Sequence, residues 1–83
     1  MTERTLRFAR REDDRRNRLL TVIRAEGGEW PASRVWALYR ERQWAPNRTT
    51  ARKDLQLLAR RRHLIERGPQ NGRFYTLNYA GGA

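Results

Sequence analysis

Apolar residues recur at helical spacing through most of the chain and give way to strand-like runs near its end. The first apolar face comprises Leu19, Leu20 and Ile23, which predicts a helix whose role is mainly packing. The acidic pair Asp13-Asp14 supplies candidate N-caps, and the glycine pair Gly27-Gly28 is typical of a helix C-terminus. We therefore expect the first helix to lie between these two pairs.

A tryptophan–proline step follows the glycines. Because a residue before proline favours extended backbone, we expect Trp30 to be buried in a short extended piece that pairs with the edge of a later hairpin. Pro31 suits the first turn of a second helix, from about Ala32 to Gln43. Trp36 is expected to be a partly buried packing residue rather than a binding platform. The predicted core face of this helix consists of Val35, Leu38 and Tyr39.

The third predicted helix runs from Asn47 to Arg62. Pro46 ends the preceding helical geometry and Asn47 is a strong N-cap, so a tight turn joins the second and third helices. Asp54 is the only acid in the segment. One narrow apolar stripe consists of Ala51, Leu55 and Leu58. The opposite side carries basic or hydrogen-bonding side chains: Arg48, Thr49, Arg52, Lys53 and Gln56.

Two interpretations fit this third helix. A buried leucine stripe with a basic, amide-bearing outer face suits a helix that lies in a DNA major groove. An ordinary core helix with a solvated charged face would show the same pattern. The flanking segments favour the first interpretation, because a tight turn precedes the helix and a hairpin follows it.

The hairpin is predicted from two strand-like runs, Leu64–Arg67 and Arg73–Tyr79, separated by the Gly, Pro and Asn-Gly cluster of residues 68–72. We expect three apolar side chains to point inward: Ile65, Tyr75 and Leu77. Four polar or basic residues sit at or near the loop: Arg67, Gln70, Asn71 and Arg73.

Length and charge narrow the class of partner. Eighty-three residues make one small domain, without room for a separate ligand-sensing or catalytic domain, so no small-molecule ligand is expected. A net charge of +10 attracts polyanions, and nucleic acid is a better candidate than an anionic membrane because no stretch resembles a lipid-inserting helix. The start lacks a long apolar run, so we expect neither a signal peptide nor a membrane span, and a cytoplasmic, nucleoid-associated location.

The predicted organisation is a flexible basic arm over residues 1–12, a folded domain over 13–79 and a loose tail over 80–83. The arm either follows DNA phosphates or a minor groove, or has no specific role. Alternatively, Leu6 and Phe8 dock on the core or on a second subunit.

The sequence gives little support to a catalytic or metal-binding role. The chain has no cysteine, which excludes a disulfide framework, a thiolate zinc site and a cysteine nucleophile. His63 is the only histidine and is read as a turn residue. The Arg60–Arg62 run is read as helix capping with generic phosphate attraction. We therefore expect no enzyme, no metal site and no cofactor.

The order of helix, short strand, helix, turn, helix and hairpin resembles the winged helix–turn–helix family of transcriptional regulators. The segments Thr50–Leu58 and Leu64–Arg67 resemble its recognition helix and first wing strand, and Gly72–Leu77 resembles the second wing strand. The resemblance covers roughly residues 13 to 79. It implies a mainly α fold with a small β-hairpin: three helices, a short strand and a two-stranded wing. The family commonly has glycine with positive φ where His63 stands.

The resemblance also implies a DNA-binding surface. Exposed residues of the recognition helix read base edges, and basic or amide residues of the wing contact phosphate or the minor groove. Thr50 faces either the core or a phosphate. Carried over to this chain, the implied DNA-binding residues are Arg48, Thr49, Thr50, Arg52, Lys53, Gln56, Arg67, Gln70, Asn71 and Arg73.

Two functions are therefore expected as alternatives. The first is a sequence-specific binder of double-stranded DNA, acting as a small repressor, activator or accessory factor, with a possible homodimer because operators usually contain two half-sites. The second is a winged-helix module that docks an acidic protein or RNA without reading sequence. The mixture of Thr, Arg, Lys and Gln on the third helix favours DNA.

Overall fold

A computed structural model describes the backbone of residues 3–79 and the side chains of residues 11–79. Within this part of the chain, three helices and three short strands form a mainly helical protein with a small antiparallel sheet, in agreement with the predicted fold class. The elements in chain order are α1 (Glu3–Glu26), β1 (Trp30–Pro31), α2 (Ala32–Arg42), α3 (Arg48–Arg60), β2 (Leu64–Arg67) and β3 (Phe74–Leu77).

Helix α1 begins earlier than predicted. Its backbone is helical from Glu3, so Asp13 and Asp14 lie inside the helix and the prediction that they cap it was wrong. Asp13 instead accepts a hydrogen bond from Arg16 one turn further along, with 2.6 Å between Nη2 and Oδ1. The helix ends as predicted, before Gly27, which adopts a positive φ of 64°.

This longer helix includes most of the segment that was expected to be a flexible arm, residues 1–12. The side chains of Leu6 and Phe8 lie outside the described residues, so their docking on the core or a second subunit stays a prediction. The predicted loose tail, residues 80–83, also lies outside the described residues.

Trp30 is buried in the core, with a hydrogen bond at one edge of its indole ring and a cation over one face. Its side chain is 1% exposed, and its Nε1 donates to the carbonyl of Gly27 at 2.9 Å. The guanidinium of Arg34 lies 3.6 Å from the centre of the indole ring. Trp30 pairs with Tyr75 between β1 and β3, which confirms both the predicted burial and the predicted pairing with the hairpin.

Helix α2 lies close to its predicted bounds and ends at Arg42. The next residue, Gln43, adopts the left-handed conformation with φ 58° and donates its backbone N–H to the last carbonyls of the helix. The predicted core face of α2 is confirmed for Val35 and Tyr39, which are buried, whereas Leu38 is only half-buried. Trp36 is partly buried and packs against the core, as expected.

Asn47 caps helix α3, as predicted, and the helix ends at Arg60, two residues before its predicted end. Its backbone is extended, and its side-chain Oδ1 accepts a hydrogen bond from the backbone N–H of Thr50 at 3.0 Å. The predicted stripe of Ala51, Leu55 and Leu58 is buried. The start and the rotation of this helix therefore follow from the capping residue and the apolar spacing.

The turn after α3 places its left-handed residue at Arg62, with φ 67°, and not at His63. The backbone N–H of Arg62 donates to the carbonyl of Ala59, and that of His63 donates to the carbonyl of Leu58. This pair of bonds is a Schellman ending, in which the residue just past the helix end takes positive φ. The conformation that was expected at His63 is therefore carried by its neighbour.

The hairpin pairs β2 with β3, and β3 also pairs with β1, so the sheet order is β1-β3-β2. Leu64 lies opposite Leu77, and Glu66 lies opposite Tyr75. Leu64 and Tyr75 are buried, whereas Ile65 points to the other side and is only half-buried. The prediction that Ile65 points inward was wrong, because the strand register places the preceding leucine on the core side.

One carboxylate, Asp54, connects all three helices. It is 2% exposed and accepts two hydrogen bonds from Arg15, at 2.6 Å from Nε to Oδ2 and 3.0 Å from Nη2 to Oδ1. The hydroxyl of Tyr39 donates to the same carboxylate at 2.7 Å, and Arg16 lies 3.4 Å from it. A buried aspartate needs this many partners, because an unpaired charge away from water is costly.

The network also changes the protonation of its members. Hydrogen bonding to Asp54 raises the pKa of Arg15 above its ordinary value, against the opposing effect of partial burial. Burial raises the pKa of Tyr39 strongly, and the negative charge of Asp54 raises it further. The phenol of Tyr39 is therefore neutral and able to donate throughout the neutral pH range.

Replacement of Asp54 by asparagine tests how much this network stabilises the fold. We expect Asp54→Asn to lower the free energy of unfolding by about 3 kcal/mol, because Arg15 and Arg16 are left beside an uncharged amide. Urea unfolding followed by tryptophan fluorescence measures the change. Glu41→Gln, at an exposed position on α2, is the control and should shift the value by less than about 0.5 kcal/mol. Equal unfolding midpoints for the two variants would contradict the assignment.

The raised pKa of Tyr39 predicts a loss of stability in alkali. The unfolded chain releases the phenolic proton near pH 10, whereas the folded chain retains it, so stability is complete below pH 10 and falls as pH rises further. We expect Tyr39→Phe to flatten this decline by up to about 1.4 kcal/mol per pH unit. Tyr79→Phe, which removes a phenol that is 84% exposed, is the matched control. Parallel pH profiles for all three proteins would refute the interpretation.

Candidate functional site

The outward side of α3 is open to solvent. Because Ala51, Asp54 and Leu55 face the core, the residues between them and on either side face away. The five residues predicted for this face are exposed: Arg48, Thr49, Arg52, Lys53 and Gln56. Three guanidinium or ammonium groups and one amide are therefore presented on one side of a helix whose other side is packed.

A cleft of about 620 Å³ lies beside this face and brings α3 and the hairpin loop together. Five of the predicted site residues line it: Arg52, Gln56, Gln70, Asn71 and Arg73. The start of α2 contributes Ser33, and the hairpin contributes Tyr75. Residues that are distant in the sequence thus form one surface with two guanidinium groups and three amide groups.

The other predicted residues lie outside this cleft. Arg48, Thr49 and Lys53 are exposed on α3 but do not line it. Arg67 is exposed on β2, and its Nε donates to the hydroxyl of Thr76 across the hairpin at 2.9 Å. They extend the basic surface beyond the cleft without adding to its walls.

Thr50 has a structural role within the helix cap. It is half-buried, and both its backbone N–H and its hydroxyl donate to Oδ1 of Asn47, at 3.0 and 3.1 Å. Sequence reasoning left two alternatives for this residue, the core or a phosphate. The observed bonds engage its hydroxyl at the N-terminus of α3, so its contribution to the site is to fix where the helix begins.

One acidic residue, Glu66, lies among these cations and was not predicted. Its Oε1 accepts from Nη1 of Arg73 at 2.5 Å and lies 3.5 Å from the hydroxyl of Tyr75. Burial raises the pKa of Tyr75, and the charge of Glu66 raises it further, while Arg73 and Arg52 act in the opposite direction. The sequence carried no signal for it, because the register that pairs Glu66 with Tyr75 is established only by the strand pairing itself.

Glu66 also lines a second cleft, of about 490 Å³, together with Gln56, Ala59 and Arg60. Gln56 belongs to both clefts, so the two are adjacent along α3. Among the described residues that line either cleft, Glu66 is the one acid. Arg60 lies in the last turn of α3, where its charge complements the helix dipole, as the sequence indicated.

A separate groove of about 570 Å³ lies at the turn between α2 and α3. It is lined by Trp36, Arg40, Gln43, Trp44, Ala45 and Pro46. Arg18 and Arg42 lie 5.9 and 5.8 Å from the ring of Trp44, within the range of cation–π attraction. Both tryptophans are partly buried, so the groove is a continuation of core packing with a basic border.

The described residues contain no group of three or more His, Cys, Asp or Glu side chains that could hold a metal ion. None of the helices within the described part is both long and apolar enough to cross a membrane.

The side chain of Asn47 caps the first turn of α3, where the exposed side of the helix begins. We expect Asn47→Ala to lower the free energy of unfolding by about 1 kcal/mol, because the first turn of α3 loses the acceptor for Thr50. Asn47→Asp retains an acceptor oxygen and is the matched control. Urea unfolding measures both variants. A control that lost as much stability as Asn47→Ala would show that the cap does not depend on this oxygen.

Comparison of the chain with models of known protein families, with curated proteins and with solved structures finds no match.

Proposed function

We propose that this protein is a winged helix–turn–helix protein that binds double-stranded DNA sequence-specifically and acts as a small transcriptional regulator in the cytoplasm, at the nucleoid. The observation that carries the proposal is the shared cleft, in which Arg52 and Gln56 of α3 lie beside Gln70, Asn71 and Arg73 of the hairpin loop. A net charge of +10 supports a polyanionic partner.

The layout of the elements is compatible with a winged helix. A short strand between the first two helices pairs with a C-terminal hairpin, and a tight turn joins α2 to α3. In such an arrangement α3 enters the major groove and the hairpin contacts the backbone or minor groove. The exposed, basic side of α3 is the side that this geometry requires to be free.

The proposed roles divide by chemistry. Arg52 or Lys53 donates to guanine O6 and N7, and Gln56 pairs with adenine N6 and N7. Arg48 and Thr49 lie at the start of α3, where they hold phosphates and set the register of the helix. The hairpin residues extend the contacts to the backbone: Arg67, Gln70, Asn71 and Arg73. A homodimer on two half-sites would raise affinity and specificity together.

The second candidate is a module that docks an acidic protein or RNA without reading sequence. The observation that favours it is the groove at Trp36 and Trp44, because aromatic side chains bordered by arginine are common at protein interfaces. The exposed amide of Gln56 beside Arg52 favours DNA instead, since glutamine can pair with an adenine edge and arginine with a guanine edge.

Selection of bound duplexes from a random pool at about 150 mM salt tests the proposal. We expect an enriched sequence, and a log–log salt slope near −4 or −5 for a unit that neutralises about five phosphates. Gln56→Ala should cost about 1–3 kcal/mol at a single base pair. The charge-reversed double variant Arg52→Glu/Lys53→Glu should weaken binding roughly tenfold or more.

The control for charge reversal is Arg24→Glu/Arg40→Glu, which makes the same change in net charge at exposed positions on α1 and α2. It should retain the sequence preference and most of the affinity. If both double variants bound the enriched duplex as tightly as the wild type, α3 would not be the contact surface. A pool without enrichment would favour the second candidate.

A further inference from the structure

Glu66 is placed where a DNA-binding surface would be expected to carry only cations and amides. It lies on β2 beside the basic cleft, and it is 43% exposed, so its carboxylate is within reach of solvent and of a bound polyanion. Its backbone is fixed opposite Tyr75, whose ring is buried and whose hydroxyl faces the carboxylate. The acid is therefore held at the cleft by the register of the sheet.

The partner of this carboxylate is one of the proposed phosphate-binding groups. Nη1 of Arg73 lies 2.5 Å from Oε1 of Glu66, and the two side chains are exposed to similar degrees, 42% and 43%. A charge-assisted hydrogen bond of this kind is short and directional. In the free protein the guanidinium of Arg73 is thus already paired with an anion.

We propose that Glu66 restrains Arg73 and lowers the affinity of the hairpin for DNA phosphates, which leaves binding more dependent on base contacts made by α3. The inference rests on the proposed DNA-binding function. To give a phosphate the bond that its Nη1 now makes, Arg73 must exchange one anion for another, and Glu66 then lies unpaired near the negatively charged backbone. Repulsive elements of this kind are a general means of limiting binding to unintended partners.

The test compares Glu66→Gln with wild type on two duplexes of equal length, one enriched by selection and one scrambled, across a salt titration. The glutamine retains an oxygen that accepts from Tyr75 and removes the charge. We expect about two- to fivefold tighter binding to both duplexes at 150 mM salt, as for loss of an exposed ion pair. The salt slope should steepen by about 0.9, since one more cation is free to displace counterions.

Two further variants separate restraint of Arg73 from a general change in charge. Glu41→Gln makes the same substitution on α2, outside both clefts, and should leave affinity and salt slope unchanged. Glu66→Gln made in an Arg73→Gln protein should bring no gain over Arg73→Gln alone, because the group released by the substitution is absent. Circular dichroism and urea unfolding establish that each variant is folded before its binding is compared.

The outcomes are distinguishable from failure of the proposed function. Absence of duplex binding by the wild type would overturn the proposed function and this inference together. If the wild type binds the duplex and Glu66→Gln binds it equally or less tightly, the inference alone is overturned. Weaker binding by Glu66→Gln would mean that Glu66 accepts a hydrogen bond from a base. A gain that persists without Arg73 would also overturn it, because the carboxylate would then act only through long-range repulsion.

Discussion

The ion pair between Asp54 and Arg15 fixes the rotation of α3 that its apolar stripe sets approximately. Apolar packing of Ala51, Leu55 and Leu58 is not directional, whereas hydrogen bonds to a carboxylate are. A buried carboxylate that accepts bonds from Arg15 and from Tyr39 permits one rotation only. With Asp54 facing inward, Arg52 and Gln56 must face outward. The hydrogen bonds that bury Asp54 between three helices therefore also orient the exposed side of α3 that lies beside the hairpin.

The network around Asp54 engages some of the arginines inside the fold, whereas others remain exposed at the surface. Arg15 pairs with Asp54, and Arg16 pairs with both Asp54 and Asp13, so these two largely covered guanidinium groups already have acidic partners. Arg52 and Arg73 are exposed at the cleft, where the first has no acidic partner among the described residues and the second is held by Glu66. Net charge alone does not separate these groups. An account of polyanion binding must therefore count free cations at the surface and not arginines in the sequence.

Local chemistry made some features of the fold predictable and left others open. Asn47 after a proline defines the start of α3, and Trp30 before a proline defines an extended, buried residue; both predictions were confirmed. Leu64 and Ile65 are adjacent and both apolar, so the sequence does not show which of the two side chains faces the core. That choice depends on the strand register, which only the pairing of β2 with β3 establishes. The burial of Asp54 was not predicted, because the arginine that pairs with it lies far away in the chain.

The construction of the cleft favours an extended polyanion over a small molecule. Small-molecule sites enclose their ligand in apolar walls with a few converging polar groups. Here five of the ten lining residues carry exposed guanidinium or amide groups, with Arg52 and Gln56 on one side and Asn71 and Arg73 on the other. Such walls would leave a small anion hydrated and weakly held. A duplex, the proposed partner, would cover both walls at once and spread the cost of desolvation over many contacts, as suits groups that line an open surface.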